Sequence, residues 1–189
     1  LIFKIYHEQK YNREVFFDIE KSNYTSFPKD ILIDINKKTI VGYNMKILKG
    51  SNLKNGFLDN LKLLELENAY LRIIKEIEKF SYIDMNNIRL TNVLFDYNNN
   101  NIYLIDTSLW NFLTNLNNLN RERLNYTLIN ALTITLDWNR YRLNSEKNLF
   151  DLYGMHLHGE SYFLDFLKEL ESIVSEQKNE KVKTIKNLK

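Results

Sequence analysis

The chain has no cysteine, one proline and only five glycines. Without cysteine there are no disulfides and no thiol nucleophile, and thiolate metal sites are excluded. Such a composition is expected of a reducing, cytoplasmic setting. No apolar run approaches the ~20 residues that span a bilayer, so no membrane span is expected, and no secretory leader pattern is visible. The formal charge is only +2, with 26% charged residues spread along the chain. Neither a basic patch nor an aromatic-basic platform calls for nucleic acid. H-E-x-x-H, G-x-S-x-G and the phosphate-binding P-loop are all missing.

What is present is enough to build a core. The 189 residues are 44% hydrophobic, which suits one domain or two small lobes. Asparagine is abundant, a bias that an AT-rich genome produces, and apolar periodicity runs through most of the sequence. Leu1 stands already inside an apolar run, as in a fragment or a processed product.

Leu1–Tyr6 reads as a strand with Lys4 at its middle. Tyr11–Asn23 reads as a helix, with Asn12 as cap, Val15, Phe16 and Ile19 as its apolar stripe and Glu14, Asp18 and Glu20 on it. Phe27-Pro28 closes that region. A hairpin follows, Ile31–Ile35 against Thr39–Tyr43, and then Met45–Gly50 as an extended connection. Phe57–Phe80 carries the strongest helical periodicity, from Leu58, Leu61, Leu64 and Leu66 to Ile73, Ile74 and Ile77. Two more helices are expected over Leu124–Trp138 and Glu160–Val174, with 175–189 as a charged frayed helix or mobile tail that has no apolar face beyond Val182, Ile185 and Leu188. His156 and His158 share one side of an extended segment, a spacing that can serve zinc, but no third ligand is evident beyond Glu160 and loop histidines are the expectation.

The centre of the sequence is YIDMNNIRLTNVLFDYNNNNIYLIDTSLW, Tyr82 to Trp110. Val93–Tyr97 and Ile102–Ile105 flank an asparagine turn and predict a β-hairpin. The return of the chain brings Asn92, before the first strand, close to Asp106, after the second. An amide and a carboxylate there form a plausible oxygen pair for Mg²⁺, which takes few protein ligands and leaves the rest to water and phosphate.

Asn87-Ile88-Arg89-Leu90-Thr91-Asn92-Val93-Leu94 resembles the protein-kinase catalytic loop D-L-x-x-x-N-I-L, and Ile105-Asp106-Thr107-Ser108 resembles the strand end leading into D-F-G. The resemblance covers roughly residues 1–110. It implies an α+β, protein-kinase-like fold: a truncated small lobe over 1–49 and a mainly helical large lobe over 50–189. It implies that Lys4 holds nucleotide phosphates, that Glu14, Asp18 or Glu20 pairs with Lys4, and that Met45–Gly50 is the hinge. Asn92 and Asp106 become the ligands of Mg²⁺ in an ATP site.

Departures from the pattern are equally specific. Asn87 stands where the family has its catalytic Asp, and an amide cannot accept a proton. Thr107-Ser108 replaces Phe-Gly. The glycine-rich loop expected before Lys4 would lie upstream of Leu1, so it is lost, lies on another segment or is not used, and Asn111–Arg123 contains no A-P-E. Asp84 is the nearest alternative acid. Three readings follow: a degenerate kinase-like module that binds nucleotide or a protein partner, a divergent active ATP-dependent kinase, and an α+β interaction domain with no nucleotide site.

Overall fold

In the computed structural model, residues 2–5, 22–26, 28–107, 110–112, 119–136 and 163–189 are described. Their architecture is α+β: small antiparallel sheets and four helices. β1 (Ile2–Ile5), β2 (Pro28–Asp34) and β3 (Thr39–Met45) form a sheet in the order β1-β3-β2. β3 is the central strand, pairing Lys4 with Tyr43 on one side and Ile31 with Tyr43 on the other. The hairpin turns over residues 35–38, where Asp34 accepts the main-chain N–H groups of Asn36 and Lys37. Such Asx bonds give the turn an internal partner for donors that no strand supplies.

Residues 46–50 then lead from this sheet to a second one. There β4 (Ser51–Asn52) pairs with β6 (Val93–Asp96), and β6 pairs with β7 (Asn101–Leu104). Gly50 lies so close to β6 that an added Cβ would sit 3.0 Å from the Phe95 carbonyl oxygen. The segment Tyr24–Ser26 joins the far edge of the same sheet. Leu104 N–H donates to the Tyr24 carbonyl at 2.8 Å, and Ser26 N–H donates to the Leu104 carbonyl at 2.9 Å. β2 therefore starts two residues from a point bonded to the end of β7.

α1 (Leu63–Lys79) is the long helix at the centre of the core. Its apolar stripe, Leu66, Ala69, Tyr70, Ile73, Ile74 and Ile77, is buried, as the periodicity predicts. The helix starts later than the expected Phe57, and the exposed Leu58 and Leu64 are not part of the stripe. Contacts at Leu63 and Lys62 fix the later start, beyond a short 3₁₀ turn (Leu53–Asn55) that ends at Gly56 with a left-handed φ of 78°. The first-turn N–H of Leu63 then donates to the Lys183 carbonyl at 3.0 Å, and Glu65 reaches back to the Lys62 N–H.

That partner for α1 corrects the expected tail. α3 (Phe163–Lys178) outruns its expected end at Val174, and α4 (Ile185–Leu188) follows it. Val182, Ile185 and Leu188 are buried, Ile185 N–H donates to the Leu61 carbonyl, and Lys186 N–H donates to the Asp59 carbonyl. Three apolar residues in a lysine-rich stretch make too weak a pattern to read, yet they suffice once α1 offers them a groove and unpaired main-chain groups.

α2 (Leu119–Thr135) likewise begins before the expected Leu124 and ends before Trp138. Leu124, Leu128, Ile129 and Leu132 are buried, but so are Asn120, Asn125, Thr127 and Thr135. A helix buried on both its apolar and its polar faces shows no clean stripe, so its start is invisible to periodicity. Each of these polar groups has a partner: Tyr70 Oη donates to Asn125 Oδ1 at 2.7 Å, and Phe57 N–H donates to Thr135 Oγ1 at 2.6 Å, as buried polar groups require. The core joins α1, α2 and α3 to one face of the β6–β7 hairpin through Phe95, Ile102, Leu104, Phe163 and Phe166.

Candidate functional site

The site sits where the 83–92 loop meets the outgoing end of β7. β5 (Ile83–Asp84) enters the loop and pairs with β8 (Asn111–Phe112), which follows Trp110. The expected hairpin is present: its first strand starts at Val93 as expected and ends one residue earlier, and its second lies one residue nearer the chain start. Its turn is held by Asp96, whose carboxylate accepts from the N–H groups of Asn98 and Asn99 and from Asn99 Nδ2 at 2.8 Å. Burial tends to raise the Asp96 pKa. The hydrogen bonds from Asn99, Asn98 and Tyr103 outweigh it and hold the carboxyl below its ordinary value.

The register pairs Val93 with Leu104, and Ile105 N–H extends the ladder by donating to the Asn92 carbonyl at 2.9 Å. Asn92 thus lies directly across from Ile105 and next to Asp106. Both are half-buried at the surface end of the hairpin. Asn92 Nδ2 donates to the main-chain carbonyl of Asn87 at 3.1 Å, which fixes the nitrogen inward and leaves Oδ1 as the outward atom, in contact with the Thr91 hydroxyl at 3.3 Å. Asp106 has a φ of 59°. That left-handed conformation is uncommon outside glycine, though Asp and Asn reach it most readily, and it turns the chain sharply off the strand.

Asn87 is buried, and its amide is used at both ends. Its Nδ2 donates to the Asp106 carbonyl, and its Oδ1 accepts from Trp110 Nε1 at 2.6 Å. Trp110 N–H in turn donates to the Thr107 carbonyl at 3.1 Å. Thr107, at the position that matches the Phe of D-F-G, is fully buried, and its hydroxyl has no hydrogen-bond partner among the described residues. Asp84, the alternative acid, is half-buried and ion-paired with Arg123 of α2.

Sequence reading missed the support behind the loop. Asn120, in the first turn of α2, accepts from the Met85 N–H at 2.8 Å and donates to the Ile83 carbonyl at 2.6 Å. One side chain thereby satisfies the backbone on both sides of Asp84, as a neighbouring strand would. Thr127, two turns on, reaches the Ile88 carbonyl at 3.3 Å. Asn120, Arg123 and Thr127 follow i, i+3, i+7 and form one polar helix face turned to the loop. A polar stripe at helical spacing was the only available signal, and the surrounding asparagine-rich sequence hides it. Beside Thr127, an open cleft of about 290 Å³ is lined by Ile88, Arg89, Leu90, Thr91, Tyr126 and Asn130.

Of the residues singled out by sequence, Asn87, Asn92 and Asp106 come together: they share direct hydrogen bonds or adjacency. Lys4 lies in β1, where its backbone pairs with Tyr43. Glu14, Asp18 and Glu20 lie outside the described residues, as do His156 and His158. Among the described residues, no three His, Cys, Asp or Glu side chains cluster, and no helix is long and apolar enough to cross a membrane. Comparison with protein-family models, with curated proteins and with solved structures finds no match to this chain.

Proposed function

We infer that the chain is a degenerate protein-kinase-like domain that binds a nucleotide with Mg²⁺ and does not transfer its phosphoryl group. The observation that carries this reading is the common end of the β6–β7 hairpin, where Asn92 and Asp106 adjoin while the loop residue five before Asn92 is an amide. Asn92 Oδ1 and the Asp106 carboxylate are the groups that would hold the cation. Bound there, Mg²⁺ would neutralise phosphate charge, with water and phosphate filling the remaining positions. The crossing at residues 46–50 fits the hinge of the resemblance, offering main-chain groups rather than particular side chains.

Two facts disfavour the active-kinase alternative. Asn87 cannot take a proton from an acceptor hydroxyl, and its side chain already bonds Asp106 and Trp110. Loss of such a base costs on the order of 10²–10⁴ in rate. Asp84 does not replace it, because its carboxylate is held by Arg123.

Thermal unfolding of the full chain with ATP, with and without Mg²⁺, tests the reading. Ligand at ~100 times its dissociation constant stabilises the folded state by about 2.7 kcal/mol. A Mg²⁺-dependent rise in Tm that is lost in a folded Asp106→Ala variant is the expected result. No shift at millimolar nucleotide would leave the interaction-domain reading.

A further inference from the structure

We propose that residue 87 organises the cation site from behind, and that an amide is the side chain this position requires. The proposal deepens the nucleotide reading above and rests on it. Both candidate ligands are held by this one residue, each through an atom other than the one that would meet the cation. The main-chain carbonyl of Asn87 takes Asn92 Nδ2 at 3.1 Å, so Asn92 Oδ1, which accepts from the Thr91 hydroxyl at 3.3 Å, is not the atom that Asn87 holds. The side-chain Nδ2 takes the Asp106 main-chain carbonyl rather than its carboxylate. The side-chain Oδ1 takes the indole N–H of Trp110 at 2.6 Å, which binds the segment after Asp106 to the loop before Asn92.

Only a group with one donor end and one acceptor end satisfies both side-chain bonds. An ionised carboxylate at 87 would still accept from Trp110. It would also set an anionic oxygen against the Asp106 carbonyl, in a residue only 4% exposed. The Asp of the kinase pattern is thus incompatible with Trp110 and Asp106 as they stand here. Asp106 has a left-handed φ of 59°, and the bond from Asn87 to its carbonyl helps hold that turn in place. In this site residue 87 is a positioning residue for the cation, with no role toward an acceptor hydroxyl.

The test compares the parent chain with Asn87→Asp, measuring ATP affinity with and without Mg²⁺, phosphoryl transfer from ATP, and hydrogen exchange of the Trp110 indole N–H. Outer-shell partners of a metal site are worth about 10–100-fold in affinity. Asn87→Asp is expected to weaken Mg²⁺-ATP binding by that factor near neutral pH, to leave Mg²⁺-free ATP binding unchanged, and to transfer no phosphoryl group. Undiminished Mg²⁺-ATP affinity, or a gain of phosphoryl transfer, would overturn the proposal. If Asn87→Asp fails to fold, Trp110→Phe removes one of the two side-chain bonds and should show a smaller, still Mg²⁺-specific loss; a loss equal with and without Mg²⁺ would overturn it. If the parent binds no Mg²⁺-ATP, the nucleotide reading falls, and the role of residue 87 as an anchor is decided by indole exchange. Slow exchange in the parent and fast exchange in Asn87→Ala supports the anchor, whereas equal exchange removes it.

Discussion

At the scale of single residues, small groups with two partners carry the structure. Gly56 is one of them. A Cβ there would lie 2.2 Å from Thr135 Oγ1, the same oxygen that accepts the Phe57 N–H and donates to the Ala131 carbonyl at 2.6 Å. Gly56→Ala combines a forbidden φ with a disrupted buried bond, and should lower stability by about 2–4 kcal/mol in urea denaturation. An unchanged midpoint would show that the turn relaxes freely. Asp96 sets an acid limit. Its folded pKa lies below the ordinary 3.8, so between the two values the unfolded chain binds more protons. Its contribution is fully present above the unfolded value and is lost as pH falls through the folded one. Asp96→Asn should flatten the pH dependence of stability below about pH 4 while leaving a less stable protein at neutral pH. An acid limb of unchanged steepness would count against this assignment. Tyr97 acts at the other extreme. Burial raises its pKa above the ordinary 10.0, with the Leu58 N–H bond working in the opposite direction. Its contribution is present below the unfolded value and fades in strong alkali.

At the scale of elements, what was legible depended on whether one physical term dominated. α1 has a single apolar stripe, and its middle was readable from Leu66 to Ile77. Its start was not, because Leu58, Leu61 and Leu64 continue the apolar count while Lys183, distant in sequence, takes the first N–H of the helix. The β6–β7 hairpin was legible to within one residue, since alternation and an asparagine turn act together there. α2 was read late because Asn120 looks like loop in an asparagine-rich chain, although it is buried with both amide ends bonded. Asn120→Leu should therefore cost about 2–4 kcal/mol, the sum of two orphaned main-chain groups, despite adding apolar volume. A neutral or stabilising result in chemical denaturation would mean that water reaches Met85 and Ile83. Likewise the adjacency of Asn92 and Asp106 was readable from hairpin geometry alone, whereas the anchoring by Asn87 and Trp110 was not. It depends on the path of the chain after Asp106, which no local pattern encodes.

On the scale of the whole molecule, the β4-β6-β7 sheet lies between the helical core and the β1-β3-β2 sheet in the chain of contacts. The first sheet is tied to the second through the 46–50 crossing and through the bonds of Tyr24 and Ser26 to Leu104. Any ligand spanning Lys4 and Asp106 would couple the two, and its effect should then exceed local ordering. For a chain of this length about 1 kcal/mol moves Tm by roughly 2–4 °C. Saturating Mg²⁺-ATP is thus expected to raise Tm by some 5–10 °C in one cooperative transition. Two separate transitions, only one of them ligand-dependent, would show that the sheets unfold independently.

The docking of Val182, Ile185 and Leu188 beside the start of α1 has a kinetic side. α1 has the strongest helical pattern and is made early, yet its first N–H finds its partner in the Lys183 carbonyl, and Ile185 and Lys186 bond the Asp59–Leu61 segment that leads into it. A nascent chain that has not reached those residues carries a long amphipathic helix with an open end and an uncovered apolar edge. Contacts of such high sequence separation slow folding, and the waiting surface is the kind that chaperones hold. Completion of the core is therefore tied to the order of synthesis. Folding of this protein should report on whether residues 182–188 have left the ribosome, more than on whether the helices themselves have formed.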